Sequence, residues 1–168
     1  MERFIFFLEI LGTMAFSVSG AMIGIRKSMD IFGVIILGIT TAVGGGMIRD
    51  LLIGRLQLVM FRDYRYLLAA VITSVLVFLI AHFAKKHFNQ YEEKLTVFNN
   101  IFDAIGLGAF VVVGIQAGIG AGYGDNGFFL AFLGVLTCIG SCMLLMIPAE
   151  KLLKNVPAAI GLAISFGL

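Results

Sequence analysis

The chain is poor in charge, cysteine and proline, and it has no tryptophan. Charged residues make up 13% of its 168 residues, where a soluble domain carries about 25%. With 60% hydrophobic residues and a mean hydropathy of +1.05, it has too little polar surface for a water-soluble globule and reads as an integral membrane protein. The net charge of +2 offers no basic patch for nucleic acid. Cys138 and Cys142, four apart on one expected helix, have no His or acidic partner nearby in sequence. They read as small packing residues and not as metal ligands. His82 and His87 border a Lys-rich loop and read as interfacial residues. There is no nucleophile–base set, no phosphate loop and no metal-ligand spacing, so neither an enzyme nor a cofactor is expected. The missing tryptophans thin the aromatic belt, although Phe and Tyr cluster near several expected span ends.

What the chain has is long apolar runs, each crossing needing about 20 residues. Span 1 is expected over Phe4–Ile25, ending at Arg26 and Lys27. The start Met-Glu-Arg lacks a basic n-region and a clear cleavage site, so this run is expected to be a true span and not a signal peptide. Span 2, Ile31–Phe61, is too long for one straight helix and reads as two half-helices hinged at Gly44–Gly46. Span 3 covers Tyr66–Phe83, closed by Lys85 and Lys86, with a polar connection from His82 to Thr96. Span 4 covers Val97–Gly118, and the glycine-rich stretch 118–127 is expected to be a loop. Span 5 is Phe128–Ile147, ending at Pro148, and a sixth starts near Val156 with 13 residues before Leu168, short of a crossing. Arg3, Arg55, Arg62 and Arg65 fall on one side; Arg26, Lys27, Lys85, Lys86, Lys94, Lys151 and Lys154 fall on the other. The richer side is expected in the cytoplasm, with the N-terminus outside, in a multi-pass protein of the cell (inner) membrane.

The sequence also resembles itself. A shift of 94 sets Glu9 on Asp103, Gly12 on Gly106, Ala15-Phe16 on Ala109-Phe110, and Val18, Gly20 and Gly24 on Val112, Gly114 and Gly118. Beyond the loop a shift of 96 sets Leu37-Gly38 on Leu133-Gly134, Thr41 on Thr137, Gly44 on Gly140 and Met47 on Met143. Each unit holds three spans, an odd number, so the second copy is expected upside down, over residues 1–88 and 97–168. The fold expected is therefore an all-α polytopic membrane protein of two inverted three-helix repeats, with helices 2 and 5 broken. The second copy is degenerate: Gly44-Gly45-Gly46 corresponds to Gly140-Ser141-Cys142, and Arg49-Asp50 to Leu145-Met146.

The densest chemistry lies in residues 44–50. Three glycines in one apolar run point to a helix break whose freed peptide groups face a polar path, or to close packing of helices through small residues. Arg49 and Asp50, adjacent and so about 100° apart on a helix, are expected to bond other spans or backbone and not each other. They read as gate or pathway charges, or as a structural clamp. Glu9 and Asp103 lie just inside spans 1 and 4, at opposite membrane faces by the repeat. They read as cation-attracting groups at two mouths or as helix-capping acids.

The run Ala42-Val-Gly-Gly-Gly-Met-Ile-Arg-Asp-Leu-Leu-Ile-Gly-Arg55, followed by Phe61-Arg62-Asp63-x-Arg65-Tyr66, resembles the repeated domain of prokaryotic TRIC-type membrane proteins, often labelled a glycine transporter domain. Asp103-Ala-Ile-Gly-Leu-Gly-Ala-Phe110 with Gly114 is similar to the start of its second copy. The resemblance implies seven spans, a homotrimer with one pore per protomer, and a potassium-permeable cation channel lined by broken spans 2 and 5. This sequence departs from the pattern in having Gln57-Leu58 where family members have proline, in lacking the second Gly-Gly-Gly-x-x-Arg-Asp, and in its incomplete last spans. A monovalent cation channel is the first expectation, a carrier for a small neutral amino acid such as glycine the alternative, and a non-conducting truncated member the third.

Overall fold

Asp30 and its neighbours show how this sequence builds its turns. Helix α1 (Glu2–Arg26) stops where Ser28 takes a left-handed φ of 54° and the Met29 amide donates back to the Gly24 carbonyl at 3.1 Å. Asp30 then caps α2 (Ile31–Leu52), its side chain accepting from the Gly33 amide at 2.9 Å. The junction between α4 (Glu92–Gly120) and α5 (Gly127–Ile139) repeats each device. Gly122 has a φ of 93°, the Tyr123 amide donates to the Gly118 carbonyl at 3.1 Å, and Asn126 caps α5 by accepting from the Phe129 amide at 3.1 Å. Between the pairs lies α3 (Tyr64–Phe83).

The computed structural model describes residues 2–55, 63–83 and 92–139, and is all-helical over them. Four helices are long and apolar enough to cross a membrane: residues Arg3–Arg26, Ile31–Leu52, Tyr64–Phe83 and Asn99–Gly120. α1 is central, packing against α2, α3 and α4; α2 also meets α3 and α5, and α4 meets α5. Outward faces are apolar, with Phe4, Phe7, Ile72, Ile80, Phe83 and Phe128 exposed, as lipid contact requires. Hydroxyls join α1 to α3: Ser17 Oγ donates to the Ala70 carbonyl at 2.7 Å and lies 2.9 Å from Ser74 Oγ.

α1 and α4 run antiparallel and exchange equivalent contacts. A Cβ on Gly12 would come within 3.3 Å of the Phe110 ring, and one on Gly106 within 2.7 Å of the Phe16 ring. Each phenylalanine thus covers the other helix's glycine, and the two rings stack with centroids 5.1 Å apart. The helix pairs match too. A Cβ on Gly20 would meet Thr41 Oγ1 at 2.6 Å and the Leu37 carbonyl at 2.7 Å; one on Gly114 would meet Thr137 Oγ1 at 2.8 Å and the Leu133 carbonyl at 2.9 Å. These are the residues that the shifts of 94 and 96 superpose.

Three expectations change. α2 runs unbroken through Gly44, Gly45 and Gly46 and ends at Leu52, so the hinge expected there is not a break in the helix. Thr41 to Gly46 are all buried, so a break would strand peptide groups in protein, away from water. Each glycine costs about 1 kcal/mol in helix propensity, whereas each unpaired buried peptide group costs about 1–3 kcal/mol. The overlong apolar run is instead cut by Gly54, with a φ of 75°, and by the Arg55 amide donating to the Asp50 carbonyl at 2.8 Å. At the same end of the bundle, where Gly120 lies beside Arg55, the loop expected over 118–127 is shorter, because α4 continues to Gly120. Gly140, Cys142, Leu145, Met146, the sixth span and the lysines of 85–86 and 151–154 lie outside the described residues.

Candidate functional site

Arg49 sits in the last turn of α2, where the helix dipole favours a cation. Its side chain is only 4% exposed, so the guanidinium needs acceptors from the protein. Nε and Nη2 both donate to Asp50 Oδ1, at 3.0 and 2.8 Å. The expectation that neighbouring Arg49 and Asp50 would not pair is therefore wrong. The long arginine stem spans the 100° step that separates their Cα–Cβ directions, and the fully buried Asp50 leaves it a close acceptor. Arg49 also reaches an acid on another helix, as expected: Nη1 lies 3.8 Å from Glu9 Oε1 on α1. The Tyr66 hydroxyl, from α3, donates to Glu9 Oε2.

One guanidinium, two carboxylates and a phenol thus tie three helices together inside the bundle. Counted as ionised groups, the cluster carries one excess negative charge. Phe6 packs edge-on against Tyr66 at 5.8 Å, and Arg65 stands 5.9 Å over the Phe6 ring, closing the outer side. An open cavity of about 510 Å³ lined by Arg3, Phe6, Phe7 and Ile10 lies beside it. Gly44–Gly46 lie about one turn before Arg49 on α2, buried, in a stretch whose Ala42 and Val43 share a core cluster with Cys138 of α5.

Asp103 is placed elsewhere. Its position on α4 faces α1 near Ser19, so by the helix rise it lies about 15 Å along α1 from Glu9. The structure therefore brings Glu9, Arg49 and Asp50 together and leaves Asp103 apart; Gly140 lies outside the described residues. Sequence reasoning missed Tyr66 as the partner of Glu9, since nothing local links residues 57 apart. A phenol at the start of an apolar run, just after Asp63 and Arg65, was the available signal. No group of three or more potential metal ligands occurs among the described residues.

A family model described as Glycine transporter matches residues 6–82. A UPF0126 membrane protein of Deinococcus radiodurans is 38% identical over 133 residues, which are 79% of this chain and 57% of that protein. The chain thus spans little more than half the length of this curated relative. Among solved structures, the TRIC trimeric intracellular cation channel orthologue from Rhodobacter sphaeroides is similar at a TM-score of 0.73 and 32% identity, over 86% of this chain and 70% of that one. A prokaryotic TRIC channel solved in 0.5 M KCl is similar at a TM-score of 0.76 and 28% identity, over 96% and 76%.

Proposed function

This chain belongs to the TRIC-type family of membrane proteins, and from that premise we propose that it forms a cation-conducting path across the cell membrane, with potassium the favoured ion. The observation that carries this reading is the buried Arg49–Asp50–Glu9–Tyr66 cluster among three spanning helices. Its excess negative charge attracts a monovalent cation, while the fixed guanidinium keeps the attraction weak enough for the ion to leave. In this reading Gly44–Gly46 keep the backbone of helix 2 slender beside the path, with Gly140 their counterpart in the sequence. The two halves are inverted repeats, because a two-fold axis that exchanges antiparallel spanning helices must lie in the membrane plane. Asp103 marks the opposite mouth, and the assembly is a homotrimer with one path per protomer.

Reconstitution into planar bilayers in KCl tests the path. Unitary currents are expected, with a reversal potential in a KCl gradient that follows the cation. Saturable glycine uptake into liposomes without unitary currents would replace the channel by a carrier, the reading that the description of the family model favours. Neither activity would mean a non-conducting member that only associates with partners.

Orientation has its own test. With Cys138 and Cys142 replaced by serine, a cysteine introduced at Asn89 should resist a membrane-impermeant thiol reagent in intact cells. It should react after permeabilisation, because the positive-inside rule puts the lysines from Lys85 to Lys94 in the cytoplasm. Ready labelling from outside reverses the topology.

A further inference from the structure

The shift of 94 sets Asp103 in the place of Glu9, and the two acids have different surroundings. Glu9 has Arg49 and Tyr66 as partners. The shift of 94 pairs its neighbouring positions, Ile5 and Val113, with Asn99 and Ser19 around Asp103. In the sequence, the shift of 96 sets Leu145 in the place of Arg49. By sequence, the place of Asp103 thus lacks the matching arginine and has Asn99 and Ser19 where Glu9 has apolar residues.

The structure shows the consequence. Ser19 is 2% exposed and faces α4, with Asn99 Nδ2 at 3.5 Å from its Oγ. Asn99 and Asp103 are four apart and share one face of α4. The antiparallel register that sets Gly12 on Phe110 and Phe16 on Gly106 sets Ser19 against the turn between them. Asn99 Oδ1 and Asp103 Oδ1 are both fully enclosed, and neither has a hydrogen-bond partner. Two enclosed acceptors on one face, one of them a carboxylate, call for a donor or a positive charge. All the available groups are hard oxygens and carry one formal negative charge, which suits one alkali-metal ion. Calcium takes about six to eight oxygen ligands, more than these three residues supply.

We propose that Asp103, Asn99 and Ser19 form a site for one alkali-metal cation between α1 and α4, apart from the Arg49 cluster and independent of whether the chain conducts. The ion takes the role that the Arg49 guanidinium plays for Glu9: it neutralises the acid and holds two spanning helices together.

The test reads thermal unfolding of the detergent-purified chain through a thiol-reactive dye, which gains access to buried Cys138 as the bundle opens. At constant ionic strength, replacing choline chloride by NaCl or KCl should raise the melting temperature by about 4 °C, saturably. Asp103→Asn should abolish the rise and, in choline, melt no lower than the wild type, since it carries no charge to neutralise. Ser19→Ala should move the midpoint of the salt titration to roughly fivefold higher concentration. Glu9→Gln should keep the rise, because it acts on the other cluster. No difference between choline and the alkali cations in the wild type would overturn the site. A rise retained by Asp103→Asn, or lost only with Glu9→Gln, would move the ion to the other cluster and overturn it equally. Should Asp103→Asn fail to fold, the Ser19→Ala titration decides, and an unchanged midpoint refutes the proposal.

Discussion

Arg49→Ala should remove most of the chain from the folded, detergent-extractable pool. The substitution leaves Asp50 with no exposure and Glu9 only 18% exposed, with no guanidinium between them. Removing one partner of a buried ion pair costs about 3–5 kcal/mol, against a whole-domain stability of about 5–15 kcal/mol. The degenerate half of the chain suggests the rescue. It carries Leu145-Met146 where this half has Arg49-Asp50, so Arg49→Leu combined with Asp50→Met removes both charges at once. The double variant should recover much of the folded yield while cation flux in liposomes stays low. Size-exclusion chromatography of a fluorescent fusion gives the yield, and flux is measured on the same preparations. If Arg49→Ala matches the wild type in both, the pair neither holds the bundle nor serves a path.

Gly20→Leu and Gly114→Leu should each lower the melting temperature by about 5 °C or more, and by similar amounts. At both sites even a Cβ would lie within 3.0 Å of a backbone carbonyl on the next helix, Leu37 or Leu133, and a carbonyl in an intact helix cannot swing aside. The helix pair must separate, and the apolar contacts beyond the glycine go with it. Gly108→Ala is the control. A Cβ there has open space around it, so the change should be neutral or slightly stabilising through the helix propensity of alanine. Leucine tolerated at Gly20 but not at Gly114 would mean that the two helix pairs do not pack alike.

The spans were legible because hydropathy over about 20 residues follows directly from the cost of unpaired backbone in lipid. The paired glycines were legible because glycines cannot be exchanged freely where helix backbones touch. Gly20 and Gly114, and Gly12 and Gly106, appeared as a spacing and proved to be contact points. The hinge at Gly44–Gly46 was misread, since glycine lowers helix propensity in isolation while a buried helix keeps its ladder for lack of any other partner. The Arg49–Asp50 pair was misread because helix geometry gives the direction of Cβ but not the reach of a long side chain.

From its composition and periodicity alone, this chain is an all-helical membrane protein with a charged motif it cannot leave in lipid. Those properties depend on burial of apolar runs and on spacing along one helix, which are local. Which acid the arginine meets, that Tyr66 joins them, and that Asp103 stands apart, its Oδ1 enclosed like Asn99 Oδ1, were decided by the tertiary structure. These contacts join residues 40 to 80 positions apart in the chain, and only the way the helices pack sets their distances.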